Sequence, residues 1–180
     1  MKDHVLIVDD FLTHEECDRY IEIVNNEEHG KFDAPLNYSF HSLFFHDISD
    51  IQKRIVDLYS EKYPEIQMTP SLWGFDKPFL LKKFYPKKSF EVWHCEHDYT
   101  ESQRIACSII YLSDHNCGTE FYDGSVVMSK KGRIMIFPTF WTHMHKGQVC
   151  PDDKDRYIIS GYISYLKGSD DRSKYQHEFK

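Results

Sequence analysis

The sequence predicts a mainly β domain, a sandwich or barrel, preceded by two helices. Three observations predict it. Past Phe79 the chain breaks into eight short apolar runs, each of strand length and each bounded by turn residues. Before Phe79, two stretches carry apolar residues at helical spacing instead of alternation. Across 180 residues, 41% are hydrophobic and 16% aromatic, which is material for a buried core and argues against disorder.

Val5–Val8 reads as a short buried strand. Thr13 and Glu16 stand at capping-box spacing, and Cys17, Tyr20, Ile21 and Val24 then form one helical stripe. Residues 26–47 hold Gly30, Pro35 and several Phe and Tyr with no period, which predicts a long loop carrying at most a short strand. A second helix starts at Ser49 or Asp50, with Ile51, Ile55, Leu58 and Tyr59 on its inner face. The strands that follow are predicted over Phe79–Tyr85, Phe90–His94, Ile105–Leu112, Thr119–Tyr122, Ser125–Met128, Ile134–Phe137, His143–Val149 and Tyr157–Leu166. Pro86, Asn116-Cys117-Gly118, Asp123-Gly124 and Lys130-Lys131-Gly132 punctuate them. Gly168–Lys180 is polar and reads as a loosely held tail. No repeat or linker divides the chain, so the expectation is one domain over 1–180: helical support over about 1–78, a β core over about 79–166, and a tail over 167–180.

The charge balance, 22 basic against 29 acidic residues for a net −7, disfavours a broad phosphate-binding surface and hence nucleic acid. The opening apolar run is four residues long, too short for a signal peptide or a membrane span. Five cysteines without paired spacing point to reduced thiols in a cytoplasm-like compartment. With no Cys-x-x-Cys among them, structural zinc is disfavoured.

The chemistry concentrates in Trp93-His94-Cys95-Glu96. On a strand, residues two apart face one side, so His94 and Glu96 can converge on one ion while Cys95 points away. The plainer reading is a half-exposed strand with polar residues outward. A distant histidine changes the weighting. Two imidazoles and a carboxylate on one face of a metal, with the opposite face open, are the ligand set of a mononuclear Fe(II) oxygenase. Trp141-Thr142-His143-Met144-His145 offers His143 and His145 on one face, and His97 and His115 are also available, so periodicity alone does not choose the third ligand. Arg156, eleven residues past His145, suits a carboxylate, because a guanidinium fork pairs with one bidentately. Trp93 and Trp141 flank the two ligand segments and read as packing. Residues 26–45 and the loop Asp98–Gln103 are candidates for a substrate rim.

At these residues the chain resembles the 2-oxoglutarate- and Fe(II)-dependent dioxygenases, in particular the small prolyl-4-hydroxylase-like branch of phages and microbes. Val8-Asp9-Asp10-Phe11-Leu12 with Glu15-Glu16-Cys17 resembles that branch's opening strand, acidic turn and capped helix. Tyr85, nine residues before His94, resembles its Tyr-x-x-Gly…His spacing. Arg104 with Tyr111-Leu112 resembles its Arg…Tyr-Leu-Asn strand, and Gly118-Thr119-Glu120-Phe121 its Gly-Gly-Glu-Thr segment. Lys131-Gly132-Arg133…Ile136-Phe137-Pro138, followed by His143-Met144-His145-Lys146-Gly147, resembles the run carrying the distal histidine, which there directly precedes Lys/Arg-Gly.

The resemblance implies a double-stranded β-helix (jelly-roll, cupin-like) core buttressed by two or more helices. It implies Fe(II) held by His94, Glu96 and His145, and 2-oxoglutarate held by Arg156 with Tyr111, Tyr85 and Ser160 as further contacts. It implies O2 as the second co-substrate and ascorbate as an auxiliary reductant. The reaction implied is hydroxylation of a C–H bond, on a prolyl residue of a peptide or protein, with a free amino acid or a nucleobase as alternatives. A monomer or homodimer in the cytoplasm, the host's if phage-encoded, completes the expectation. The chain departs from the pattern at Glu96, where Asp is commoner, at Lys88 and Cys117, where Gly is usual, and in one extra residue before Arg156. A different class of reading is a metal-binding β-barrel module without turnover, for which Arg156 would have no use.

Overall fold

Thr13 begins the first helix as the sequence requires: its hydroxyl accepts from the Glu16 amide at 3.1 Å and its own amide donates to Glu16 Oε2 at 2.7 Å. The computed structural model describes residues 4–27, 31–33, 40–45, 49–69 and 71–166, with 31–33 and 40–45 described by backbone alone. Helix α1 (His14–Asn26) buries Cys17, Tyr20 and Val24, and helix α2 (Ser49–Lys62) buries Ile51, Ile55 and Tyr59, each a single stripe.

The strands are β1 (Leu6–Val8), β2 (Lys31–Asp33), β3 (Phe40–Phe45), β4 (Trp73–Phe75), β5 (Phe79–Phe84), β6 (Arg104–Tyr111), β7 (Gly118–Phe121), β8 (Val126–Met128), β9 (Ile134–Pro138), β10 (His145–Gly147) and β11 (Arg156–Tyr165). They form a larger sheet in the order β1-β9-β6-β11-β5-β3-β2, with β4 on the far end of β11, and a smaller sheet β10-β7-β8. The pairings of both sheets are antiparallel. Two such sheets facing each other, with α1 and α2 packed on the outside of the larger one, make the double-stranded β-helix.

Period-two alternation divides the larger sheet's side chains between two cores. Leu81, Ala106, Ile110, Ile134, Ile136, Ile159 and Ile163 turn outward to the helices. Phe84, Cys107, Ile109, Tyr111, Met135, Phe137 and Ile158 turn inward and meet Phe121 and Val127 of the smaller sheet.

Several expectations change. The stretch before Phe79 is not only helical support, because β1 to β4 come from it and join the larger sheet. β1 falls within the strand expected at Val5–Val8, whereas β4 carries no run of its own and pairs far along the chain with β11. The strand expected over Phe90–His94 does not form. Only His94 pairs there, in an isolated bridge to His145. Of the run His143–Val149, only His145–Gly147 is strand, preceded by a 3₁₀ turn at Trp141–His143. Part of residues 26–47 (28–30, 34–39 and 46–47) and the tail 167–180 lie outside the described residues. Among the described residues no helix is long and apolar enough to cross a membrane.

Candidate metal and co-substrate site

His94 and Glu96 sit on an irregular segment between β5 and β6, so strand alternation is not what aims them. Backbone bonds do. The His94 amide donates to the His145 carbonyl at 3.0 Å and the His145 amide returns the bond at 2.9 Å. The Glu96 and His97 amides both donate to the Thr139 carbonyl, at 3.0 and 3.1 Å, and the Gly147 amide donates to the Phe90 carbonyl at 2.7 Å. The loop is thereby clamped against β10 and the end of β9.

Each ligand candidate has one atom tied back and one facing a common centre. The His94 ring N–H at Nδ1 donates to the Val92 carbonyl at 2.8 Å, and that of His145 to the His143 carbonyl at 3.0 Å. In those tautomers each Nε2 presents a lone pair. Arg104 Nη1 lies 3.3 Å from Glu96 Oε2, which leaves Oε1 at 3.5 Å from His94 Nε2 and 3.9 Å from His145 Nε2. Ligand atoms of the three residues all lie within 4.8 Å of one another. Two neutral nitrogens and one anionic oxygen fit a dication with open positions opposite.

The electrostatics agree. Burial would raise the Glu96 carboxyl, but the close approach of His94 and the positive charge that His94, Lys82 and His145 can carry hold it at about 2. Burial, then the neighbouring His94, pushes His145 down to about 4, so both groups are ready to bind metal at neutral pH.

These residues line a cavity of about 180 Å³ that also receives Lys82, Phe84, Tyr111, Thr119, Arg156 and Ser160. Arg156 enters it from the start of β11. Its Nη2 donates to Ser89 Oγ at 2.9 Å and its Nη1 to the Gln148 carbonyl at 3.3 Å, while Phe84 lies under the guanidinium at 4.6 Å. Gly147 makes room for this, since a Cβ there would collide with Ser89 Oγ. Ser160 Oγ is buried with no hydrogen-bond partner, an orphan polar group inside the cavity. The Tyr111 hydroxyl, its pKa raised to about 12 by burial, donates to Thr119 Oγ1 at 2.8 Å.

Of the residues singled out in the sequence, His94, Glu96, His145, Tyr111, Arg156 and Ser160 are brought to one cavity. Tyr85 is not. Alternation along β5 turns Phe84 inward, and Tyr85 follows at 36% exposure outside the cavity lining. His143 supplies its carbonyl to His145, while its ring bonds Thr142. His97 stacks on Phe140 at 4.2 Å.

Two further expectations are corrected. Trp141 is 72% exposed and not core, because the 3₁₀ turn at Trp141–His143 tips it outward. Cys117 and Cys150 are joined as a disulfide, while Cys17, Cys95 and Cys107 are free. Their 33-residue separation carries no local signal; the pairing of β7 with β10 brings them together.

Lys82, Thr119, Ser89 and Arg104 are the site residues that sequence reasoning missed. Lys82 was findable, as a cation two residues before an inward Phe84 on a predicted strand. Burial pushes its pKa down and the Glu96 charge offsets part of that.

No protein-family model and no curated protein matches the sequence. Solved structures match the fold. The viral collagen prolyl hydroxylase of Paramecium bursaria Chlorella virus-1, in its 2-oxoglutarate complex, aligns at TM-score 0.68 and 17% identity, covering 92% of this chain and 97% of that one. A prolyl hydroxylase from Trichoplax adhaerens, in complex with a hypoxia-inducible-factor peptide fragment, aligns at 0.66 and 12% identity over 92% of this chain and 84% of its own. HygX from Streptomyces hygroscopicus, with nickel and 2-oxoglutarate bound, aligns at 0.66 and 9% identity over 92% and 84%. At these identities the likeness is one of fold: the chain has the double-stranded β-helix of these proteins, built nearly to their full length.

Proposed function

We propose that this chain is an Fe(II)- and 2-oxoglutarate-dependent dioxygenase that hydroxylates a C–H bond of its substrate. The observation that carries the reading is the convergence of His94, Glu96 and His145 in the same cavity as a buried Arg156 and an unpartnered Ser160 hydroxyl. Fe(II) bound there would supply, with 2-oxoglutarate and dioxygen, an oxidant able to break an unactivated C–H bond. The protein's part follows from its own residues. The two Nε2 atoms and Glu96 Oε1 would hold the ion. Arg156 and Ser160 take the far carboxylate of the co-substrate, and Tyr111 with Thr119 closes the wall beside them. Glu96 occupies the carboxylate position, which leaves no room for a halide ligand and favours hydroxylation.

A peptide or protein is the substrate class, a prolyl residue in particular. This rests on the names of the fold's neighbours, two of which are prolyl hydroxylases and one of which holds a peptide. The exposed Tyr99, Phe140 and Trp141 are aromatic surface of the kind such a ligand uses. A single domain acting in the cytoplasm as a monomer or homodimer fits this role.

Anaerobic addition of Fe(II) and then 2-oxoglutarate tests the reading. A new metal-to-ligand charge-transfer band is expected, absent in His145→Ala and needing more co-substrate in Arg156→Ala. Fully loaded iron without a band would sink it in favour of a binding module without turnover.

A further inference from the structure

We propose that His115, Cys117, Cys150 and Asp152 form a second, thiol-dependent metal site, suited to zinc, beside Arg156. No Cys-x-x-Cys marks it. The sequence instead carries two doublets, His115-x-Cys117 and Cys150-x-Asp152, and the fold lays one against the other. The His115 amide donates to the Ser129 carbonyl at 3.1 Å and the Ser129 amide to the Cys117 carbonyl at 2.9 Å, which fixes the first doublet. The Gln148 amide donates to the Gly118 carbonyl at 2.9 Å, which draws the second doublet alongside.

Ligand atoms of His115, Cys150 and Asp152 lie within 4.8 Å of one another. Cys117 Sγ is bonded to Cys150 Sγ, so a fourth donor adjoins this triad and is freed when that bond is broken. One nitrogen, two sulfurs and one carboxylate oxygen make a closed, borderline-soft set of four, the kind that holds a structural zinc ion and not an open catalytic one. The surroundings are those of a prepared site. His115 Nδ1 faces Asp152 at 3.0 Å, and its Nε2 stands 3.0 Å from Ser113 Oγ. Without metal, Nδ1–H donates to Asp152 and the Ser113 hydroxyl donates to Nε2; a metal replacing the Nδ1 proton would leave Nε2–H to donate to Ser113. The His115 side chain is 1% exposed. Arg156 Nη1 lies 3.4 Å from Cys117 Sγ.

The disulfide is the oxidised form of this site. A dithiol reductant supplies two electrons and two protons, breaks the S–S bond and itself becomes a disulfide. Zinc then displaces the two thiol protons and binds both sulfurs. In the oxidised form only His115 and Asp152 are left as ligands, too few for a structural ion. The site therefore exchanges a covalent link for a metal one between the same two segments.

The test uses the whole chain carrying His145→Ala, which removes the first site whatever its function. The protein is reduced with dithiothreitol, freed of it anaerobically, loaded with Zn(II) or Co(II) and desalted. One zinc retained per chain is expected, with sulfur-to-cobalt charge transfer in the near ultraviolet when Co(II) is used. The same protein oxidised by glutathione disulfide should show neither, and His115→Ala or Cys150→Ser should weaken zinc binding by about 100-fold or more, beyond the usual loss of an outer partner. Reduced protein without the cobalt–sulfur band, an oxidised protein that keeps it, or a Cys150→Ser variant binding zinc as tightly would each overturn the proposal. The oxidised and reduced forms of one chain decide the matter even if a cysteine variant misfolds.

Discussion

The two faces of the larger sheet are made from the same strands and do opposite things. On β11, Tyr157, Ile159 and Ile163 turn to the helices, while Arg156, Ile158, Ser160 and Tyr162 turn to the cavity. The helix side is sealed mainly by apolar side chains, and its buried Ser108 hydroxyl is satisfied by the Gly161 carbonyl. The cavity side accepts a half-buried lysine and glutamate, a buried arginine and an orphan hydroxyl, groups that cost stability unless something binds them. Neighbouring residues on one strand thus serve stability and chemistry separately, and substitutions on the two sides should separate them.

The largest effect belongs to the cavity side. His145→Ala removes one of the three proposed ligands, whose ring bond to the His143 carbonyl aims Nε2 at the centre. Iron binding and any 2-oxoglutarate-dependent turnover should fall by more than the roughly 10- to 100-fold that loss of an outer partner costs. Thermal stability of the metal-free protein should hold or rise slightly, since a desolvated imidazole is gone. A variant that loses its fold along with its iron would mean the faces are not separable.

Across the sheet, Ile159→Ala opens a cavity beneath the helices at a position 1% exposed. A loss of about 2–5 kcal/mol is expected in denaturant unfolding. The charge-transfer band should be unchanged below the lowered melting point, although Ile159 directly precedes Ser160. Arg156→Ala should do the reverse at smaller size. Losing a charged hydrogen bond costs about 1.5–3 kcal/mol, so the co-substrate concentration for half-maximal band should rise about 10- to 100-fold. Arg156→Lys should recover part of it, because a lysine keeps the charge and loses the fork.

How far this division was legible beforehand differs by face. The helix side was readable, because Cys17, Tyr20 and Val24, and Ile51, Ile55 and Tyr59, repeat at helical spacing within one window. On the cavity side, Arg156 and Ser160 alternate visibly along an apolar strand. His94 and Glu96 did reach one centre, but by backbone bonds to Thr139 and His145 that no local pattern encodes. Tyr85, matched by spacing alone, follows an inward Phe84 and lies outside the cavity lining. Lys82 and the Cys117–Cys150 pair escaped because their meaning lies in partners from other strands.

The smallest effect sharpens the comparison most. Thr13→Ala removes the hydroxyl that caps α1 and strands the Glu16 amide, while the returning bond from Thr13 N to Glu16 loses its counterpart. The expected loss is about 1 kcal/mol of stability. The α1 residues Cys17, Tyr20 and Val24 pack in the helix-side core and do not line the cavity, so iron and co-substrate titrations should superimpose on those of the parent chain. A shift in the co-substrate midpoint with so small a loss of stability would show that the seating of α1 on the sheet reaches through it to Arg156 and Ser160. The alternation that divides the two faces would then couple them as well.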